Sequence, residues 1–247
     1  MNMEEKLELI FDFLSENRKY NKDLQEKSYK SVIFPYSTQS DKVKSLLYHC
    51  VNTQSQPKID ELAKFYELIH SHPKCLRSFK AFVKEIRVAE GYSYEVLYCG
   101  LKLKHGWGPK TSALFTKSIF QLHSGSYDRK LRLWKDAPKI IGEQDRLYLP
   151  VDVVILRIFK EIGCTSKTFV GINNELWNHY KGSEIEVWDD LWFWGFVTQK
   201  GTGPDRKLQW NPNKYWSLEH SNKNAGVVKA VERRAKNFLK ILAKCRS

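Results

Sequence analysis

The chain has 247 residues, 42% of them hydrophobic, which is enough to build a packed core as one large domain or two small ones and excludes a disordered chain. Lys and Arg number 41 against 28 Asp and Glu, so the formal net charge is +13. This favours a polyanionic partner, nucleic acid above all, with an anionic membrane surface as the alternative. The sequence has no run of about 18 apolar residues to span a bilayer, and its five cysteines form no CxxC or CxxH pair that would predict a metal or iron–sulfur site.

Helical periodicity dominates the first half of the chain. The N-terminal stretch carries Glu4, Glu5 and Glu8, which is unlike a secretory signal, so we expect a cytoplasmic, nucleoid-associated or nuclear protein without a membrane partner. Apolar residues recur at helical spacing over residues 4–14, 41–51, 59–70, 79–89, 94–102 and 109–123. The pattern weakens over residues 124–149, which predicts an insertion with a short helix at most.

The second half begins with a helix opened by Pro150 and ended by Gly163. Further helices are predicted over residues 171–180, over the very aromatic residues 185–199 and over residues 224–244. Residues 200–216 are predicted to be a loop, because they contain two glycines and two prolines, Pro204 and Pro212. No segment alternates with period two over a useful length, so the predicted fold class is all-α.

The turn between the helices at 94–102 and 109–123 contains Gly106 and Gly108, which makes the segment a helix-hairpin-helix. Glycines allow a tight turn and a close approach of the backbone to another molecule, and the helix start that follows points free N–H groups outward. Together these groups can bind a phosphate oxygen without reading sequence. We therefore expect Lys104, His105 and Thr111, with the two glycines, to contact a DNA backbone, although an ordinary turn between helices is the alternative.

Two motifs occur in order along the chain. Residues 106–111 read GWGPKT, and residues 149–157 read LPVDVVILR, with Asp152 after Pro150-Val151 at a helix start. This pair resembles the helix-hairpin-helix DNA glycosylase superfamily, which has a Gly-hydrophobic-Gly-x-Lys-Thr hairpin and a later Pro-Val-Asp. The resemblance covers residues 94–163 and is weaker outside them.

The chain departs from the usual family pattern in three ways. Lys104-His105 replaces the Leu-Pro before the first glycine, and Lys110 precedes Asp152 by 42 positions, more than in most of the family. The four-cysteine cluster of the endonuclease III branch is absent from the sequence. The long insertion and the tryptophan-rich helix are most similar to the archaeal 8-oxoguanine glycosylase branch.

The resemblance implies one two-lobed helical unit over residues 1–247. One lobe would cover about residues 45–163 and contain the hairpin 94–123, and the other would form from the N-terminal helices and residues 164–247. It also implies a monomer that needs no cofactor and no metal and acts on double-stranded DNA containing a damaged base.

The resemblance implies that Lys110 is the nucleophile of a glycosylase with AP-lyase activity, forming a Schiff base with the sugar. The local sequence supports this role, because burial and the positive end of the helix opened by Pro109 both disfavour an ammonium group. An exposed lysine at a helix start is the alternative. Asp152 is expected to stabilise positive charge at C1′ or to be an ordinary N-cap, and the two roles can coexist.

The base pocket is predicted in the aromatic segment, where Trp188, Asp190, Trp192 and Trp194 alternate along VWDDLWFWG. If the segment is one helix, Trp188 and Trp192 share a face, as do Asp190 and Trp194. A buried core helix is the alternative. The predicted function is removal of a damaged purine, with 8-oxoguanine as the best candidate. A non-catalytic DNA-binding module and a glycosylase without lyase activity are the alternatives.

Overall fold

The computed structural model describes residues 1–203, 206–219 and 224–246. The chain divides into two compact units. The first unit comprises Met1–Gln25, Val151–Tyr180 and Val187–Ser247, and the second comprises Glu26–Pro150 and Lys181–Glu186.

Helices make up most of both units, which confirms the predicted all-α class at the level of secondary structure. In chain order the α-helices are α1 (Met3–Ile33), α2 (Gln39–Val51), α3 (Ile59–Ser71), α4 (Phe79–Ile86), α5 (Tyr94–Lys102), α6 (Pro109–His123), α7 (Val153–Glu161), α8 (Phe169–His179), α9 (Glu184–Val187), α10 (Asp190–Val197), α11 (Pro212–Leu218) and α12 (Ala225–Arg246). Short 3-10 helices lie at Pro73–Arg77 and Arg129–Leu131. The second of these lies in the region predicted to hold a short helix at most.

The predicted loop over residues 200–216 is wrong in part. A small antiparallel pair forms within it, between β1 (Gln199–Lys200) and β2 (Lys207–Leu208), and α11 follows. Pro212 occupies the first turn of α11, where its fixed φ suits a helix start, so this proline opens a helix. Pro204, which also supported the loop prediction, lies outside the described residues.

The aromatic segment predicted as one helix over residues 185–199 is interrupted between α9 and α10. The Leu191 N–H donates to the Trp188 carbonyl, so the chain makes a tighter i to i+3 turn at this point. Side chains of α1 then bind the two aspartates that follow Trp188, with Gln25 donating to Asp189 and Asn21 to Asp190. Trp188 therefore does not lie on the helix that carries Trp192.

The core of the first unit forms where α7, α10 and α12 pack together. Gly195 of α10 allows this packing, because a Cβ atom there would lie 2.5 Å from Cδ1 of Ile158 on α7. Phe13 of α1 completes this core by stacking on Phe238 at a centroid distance of 5.2 Å and meeting Trp194 edge-on. The apolar face of α7 is thus covered within the first unit.

The second unit is organised around α6, which is buried on nearly all sides and packs against α2 and α5. Gln121 of α6 is hydrogen-bonded within the unit, whereas the buried hydroxyls of Ser112 and Thr116 have no partner among the described residues. The Tyr29 hydroxyl donates to Gln121 Oε1 at 2.7 Å, and Gln121 Nε2 donates to Glu186 at 3.1 Å. A helix surrounded in this way holds its N-terminal residues in fixed positions.

The unit boundaries differ from the predicted lobes. The predicted lobe over about residues 45–163 overlaps most of the second unit, but that unit begins at Glu26, and α7 belongs to the first unit. The residues that place α7 there include Ile155 and Ile158, which are fully buried. Among the described residues, no helix is both long enough and apolar enough to cross a bilayer.

Candidate active site

The hairpin between α5 and α6 is held from inside the second unit. The Lys104 N–H donates to the Leu101 carbonyl at 2.8 Å, and the Trp107 N–H donates to the Lys104 carbonyl at 3.1 Å. Trp107 is only 5% exposed and packs edge-on against Phe65 at a centroid distance of 5.2 Å. Trp107 therefore anchors the hairpin in the core and offers no face to a ligand.

The two hairpin glycines differ in their backbone φ and in the space available for a Cβ atom. Gly106 has a φ of +76°, and a Cβ atom there would lie 2.6 Å from Cδ2 of Leu62 and 2.9 Å from its backbone nitrogen. Turn geometry and the approach of α3 thus require Gly106. Gly108 has an ordinary φ of −110°, and a Cβ atom there would meet no described atom within 4 Å. Packing within the chain gives no reason for a glycine at position 108.

The N-terminus of α6 is uncapped by side chains in the part of the chain that the structure describes. Gly108 is the N-cap residue, and Pro109 occupies the first turn. The backbone N–H groups of Lys110 and Thr111 lie in the first turn, where a helix supplies no acceptor. The start of α6 therefore offers N–H donors, and the positive end of its dipole, beside an open glycine.

The other hairpin residues predicted to contact phosphate have mixed positions. Lys104 is half-buried and His105 is exposed. His105 Nδ1 hydrogen-bonds to the Glu61 carboxylate, which also pairs with Lys64, and both contacts hold the pKa of Glu61 below its usual value. Thr111 is only 3% exposed, so its backbone N–H, rather than its side chain, is the group that it could offer to a phosphate.

Lys110 is half-buried at the start of α6. Its amine donates one long hydrogen bond, of 3.4 Å, to the backbone carbonyl of Thr53. No salt bridge joins Lys110 to a carboxylate within residues 1–203, 206–219 and 224–246. The amine is thus held near the hairpin by a single weak contact and can exchange it for another.

Asp152 lies in the first unit, at the start of α7. One carboxylate oxygen accepts the N–H groups of Val154 at 2.8 Å and Ile155 at 3.1 Å, which confirms the predicted N-cap. The other oxygen accepts the indole N–H of Trp192 at 3.0 Å. The contact from α10 fixes the second oxygen, so the whole carboxylate is oriented rather than only its capping edge.

Trp192 belongs to an aromatic surface that was not predicted from the sequence. Its ring stacks on Phe196 at a centroid distance of 4.9 Å and an interplanar angle of 12°, and both rings are half-buried. The amine of Lys214 lies 4.8 Å from the centroid of Phe196. Burial, with a smaller contribution from Arg206, lowers the pKa of Lys214, and the charge of Asp152 opposes the shift. We call Asp152, Trp192, Phe196 and Lys214 the Asp152 cluster.

Two members of this cluster escaped prediction for different reasons. Phe196 follows Trp192 by four residues, which is the same helical spacing that was considered for other pairs in the segment. Lys214 lies in α11, which was predicted to be a loop. Its distance in sequence from Asp152 left no local signal to connect the two.

The remaining predicted pocket residues lie in the core of the first unit. Trp188 and Trp194 are fully buried, and Trp188 meets Tyr180 edge-on at a centroid distance of 5.3 Å. Asp190 is 3% exposed and accepts hydrogen bonds from Arg18 and Asn21 of α1. Their burial argues against a base stacking on Trp188 or Trp194 in this conformation, and it leaves Trp192, which is half-buried, as the most accessible tryptophan of the predicted set.

Cysteine chemistry has little support in the structure. All five cysteines are free thiols, and burial raises the pKa of Cys50 to about 12 and that of Cys75 to about 11. Such thiols stay protonated near neutral pH and are weak nucleophiles. No group of three or more His, Cys, Asp or Glu side chains is placed to hold a metal in the described residues.

Comparisons with protein-family models, with curated proteins and with solved structures found no match to this chain.

Proposed function

We propose that the protein is a DNA glycosylase with AP-lyase activity that removes a damaged purine and uses Lys110 as its nucleophile. The observation that carries the proposal is the start of α6, where a weakly held amine lies beside an uncapped helix end and an open Gly108. The net charge of +13 and the resemblance of GWGPKT and LPVD to the glycosylase motifs support the same partner.

The hairpin would bind one phosphate of the damaged strand. First-turn N–H groups and the helix dipole favour an anion at this point, and Gly108 would let the phosphate approach the backbone closely. Extruding the nucleotide costs a few kcal/mol and is cheapest for a damaged or mispaired base. Binding at the hairpin would therefore position the sugar of the extruded nucleotide without reading the surrounding sequence.

In the proposed reaction the neutral amine of Lys110 attacks C1′, and the bond from C1′ to the damaged base breaks. The base leaves with the bonding electron pair and takes up a proton. Loss of a second proton from the nitrogen and opening of the sugar ring give a Schiff base between Lys110 and C1′. Removal of a C2′ proton then expels the 3′ phosphate by β-elimination, which nicks the strand.

Asp152 would stabilise the positive charge that develops at C1′ when the base departs. Its contacts with Val154, Ile155 and Trp192 support this role because they orient the carboxylate in advance. The half-buried pair of Trp192 and Phe196 would supply a stacking face for the purine, since base stacking on aromatic rings contributes about 1–3 kcal/mol per base. An 8-oxoguanine base is the substrate that we propose.

A non-catalytic DNA-binding module is a second candidate, because the uncapped helix start and the open Gly108 would bind phosphate whether or not Lys110 reacts. A glycosylase without lyase activity is the third. The three differ in their products. The first releases the base and nicks the strand, the third releases the base only, and the module does neither.

The test is an assay of base release and strand nicking on a labelled duplex with one 8-oxoguanine. We expect the unchanged chain and Lys84→Gln to do both, and Lys110→Gln to lose nicking. Lys84 is an exposed helical lysine of the same unit and is the matched control, whereas Lys117 is only 5% exposed and its loss would disturb the core. Full nicking by Lys110→Gln would exclude the proposed nucleophile. Binding without either product, across duplexes with several damaged purines, would favour the module.

A further inference from the structure

Helix α12 carries a basic groove that the proposed reaction does not use. The groove has a volume of about 810 Å³ and is lined by Lys229, Glu232, Arg233, Arg234, Lys236, Asn237 and Lys240. Five of these side chains are cationic and one is anionic. We define this set as the α12 groove.

The cations form a stripe along one side of the helix. Lys229, Arg233, Lys236 and Lys240 follow one another at steps of four, three and four residues, which keeps them on one face. The stripe is about 16 Å long at a rise of 1.5 Å per residue. The opposite face holds the buried residues Val231, Ala235, Phe238, Leu242 and Cys245. Packing of the apolar face therefore fixes the basic stripe toward solvent.

Few internal partners neutralise this stripe. Lys236 pairs with Glu232 at 2.7 Å, the single acid in the groove. Lys229, Arg233 and Lys240 have no hydrogen bond or ion pair with another residue of the described chain. Arg234 adds a guanidinium at the side of the stripe, and its buried Nε finds no acceptor among the described residues. Within the part of the chain that the structure describes, the groove thus concentrates five cations with one acidic partner.

We propose that the α12 groove is a binding surface for the phosphate backbone of a nucleic acid. A single phosphate is too small to engage a stripe about 16 Å long, whereas a DNA strand carries one phosphate per about 3.4 Å of its axis. Arginine guanidinium groups also match phosphate geometry. An anionic membrane is a weaker fit, because interfacial helices insert an apolar face and that of α12 is buried in the core.

The proposal takes its partner from the proposed function but does not depend on chemistry at Lys110. It is therefore tested in the chain carrying Lys110→Gln, which cannot react by the proposed route. Binding to an undamaged duplex of about 25 base pairs is measured by fluorescence anisotropy at several salt concentrations. The groove variant combines Lys229→Gln, Arg233→Gln and Lys240→Gln, all at exposed positions.

The control variant removes the same number of charges from the second unit, by Lys74→Gln, Lys84→Gln and Lys139→Gln, all exposed. Each lost phosphate contact should lower the slope of log K against log salt by about 0.9, so the groove variant should lose up to about 2.7. We expect affinity to fall at least tenfold for the groove variant and less than threefold for the control. Equal losses in the two variants, or no loss in either, would overturn the proposal.

Vesicles of phosphatidylcholine and phosphatidylglycerol test the membrane alternative with the same three chains. We expect the groove substitutions to leave vesicle binding unchanged. Vesicle binding lost in the groove variant, with duplex affinity unchanged, would assign the groove to a membrane instead. Full nicking by Lys110→Gln, or no nicking by the unchanged chain, would overturn the proposed function and leave the duplex-binding result unaffected, so the two proposals can fail separately.

Discussion

Asp152 should contribute to stability in the absence of any substrate. Replacing it by Ala removes the cap from α7, which costs about 1 kcal/mol. It also leaves the indole N–H of Trp192 without its acceptor, which costs about 1–3 kcal/mol, toward the lower end here because the ring is half-buried and water can replace the carboxylate. The expected total is about 2–3 kcal/mol, or a fall in Tm of roughly 4–12 °C for a chain of this size.

A second substitution isolates the contact with the indole. Trp192→Phe keeps a ring to stack on Phe196 and removes the N–H donor, so it should cost about 1 kcal/mol. In the double variant the two losses should not add, and the interaction energy should be about 1 kcal/mol. Urea unfolding followed by circular dichroism measures all four chains. An Asp152→Ala variant within about 0.5 kcal/mol of the unchanged chain, or fully additive losses, would refute the assigned contacts.

A different substitution of Asp152 tests the role of its negative charge in turnover. Asp152→Asn keeps an acceptor oxygen for the cap but loses the charge, so its turnover should fall sharply at a temperature where it is fully folded. Unchanged turnover in this variant would exclude the proposed role of the carboxylate at C1′.

Three further predictions follow from single residues. Gly106→Ala should destabilise the chain by about 2 kcal/mol or more in urea unfolding, because φ is +76° and Leu62 blocks the Cβ atom. Gly108→Ala should cost about 1 kcal/mol at most, because alanine is a poorer N-cap than glycine but its Cβ atom meets no described atom, and it should weaken duplex binding. Equal losses of stability would contradict this contrast. Burial lowers the pKa of His123, whose ring contacts the Ile119 carbonyl and the Trp134 N–H. The neutral form should therefore stabilise the fold above about pH 6.5, and this contribution should be lost as pH falls through the lowered pKa. An NMR titration midpoint of His123 at or above about 6.5 would refute this prediction. Burial also lowers the pKa of Lys214, whereas Glu61 raises the pKa of Lys64. Pulsed acylation measured by mass spectrometry should therefore reach half-maximal labelling of Lys214 at a lower pH than that of Lys64. The reverse order would contradict this prediction.

Local signals were sufficient for the hairpin. The observed bounds of α5 and α6 are those that apolar spacing, two glycines and Pro109 predicted. The N-cap role of Asp152 was also predictable, because capping involves only the next three residues. These features depend on contacts within one or two helical turns, which sequence patterns record directly.

Long-range contacts account for what was missed. Helix α1 continues to Ile33, well beyond the predicted residue 14, through a charged stretch that carries an i to i+4 pair of Glu26 and Lys30. The interruption before α10 coincides with contacts that α1 makes to Asp189 and Asp190, which lie more than 160 positions away in sequence. The bond between Trp192 and Asp152 is of the same kind. Periodicity contains no information about such partners.

The central claim is that Lys110 forms the covalent bond to the sugar. The most direct measurement is borohydride reduction during reaction with an 8-oxoguanine duplex, followed by proteolysis and mass spectrometry of the peptide that carries the trapped sugar. The account predicts a single adduct on the nitrogen of Lys110, absent in Lys110→Gln and retained in Lys84→Gln. An adduct on another amine, such as Lys214, or base release without any adduct, would contradict it.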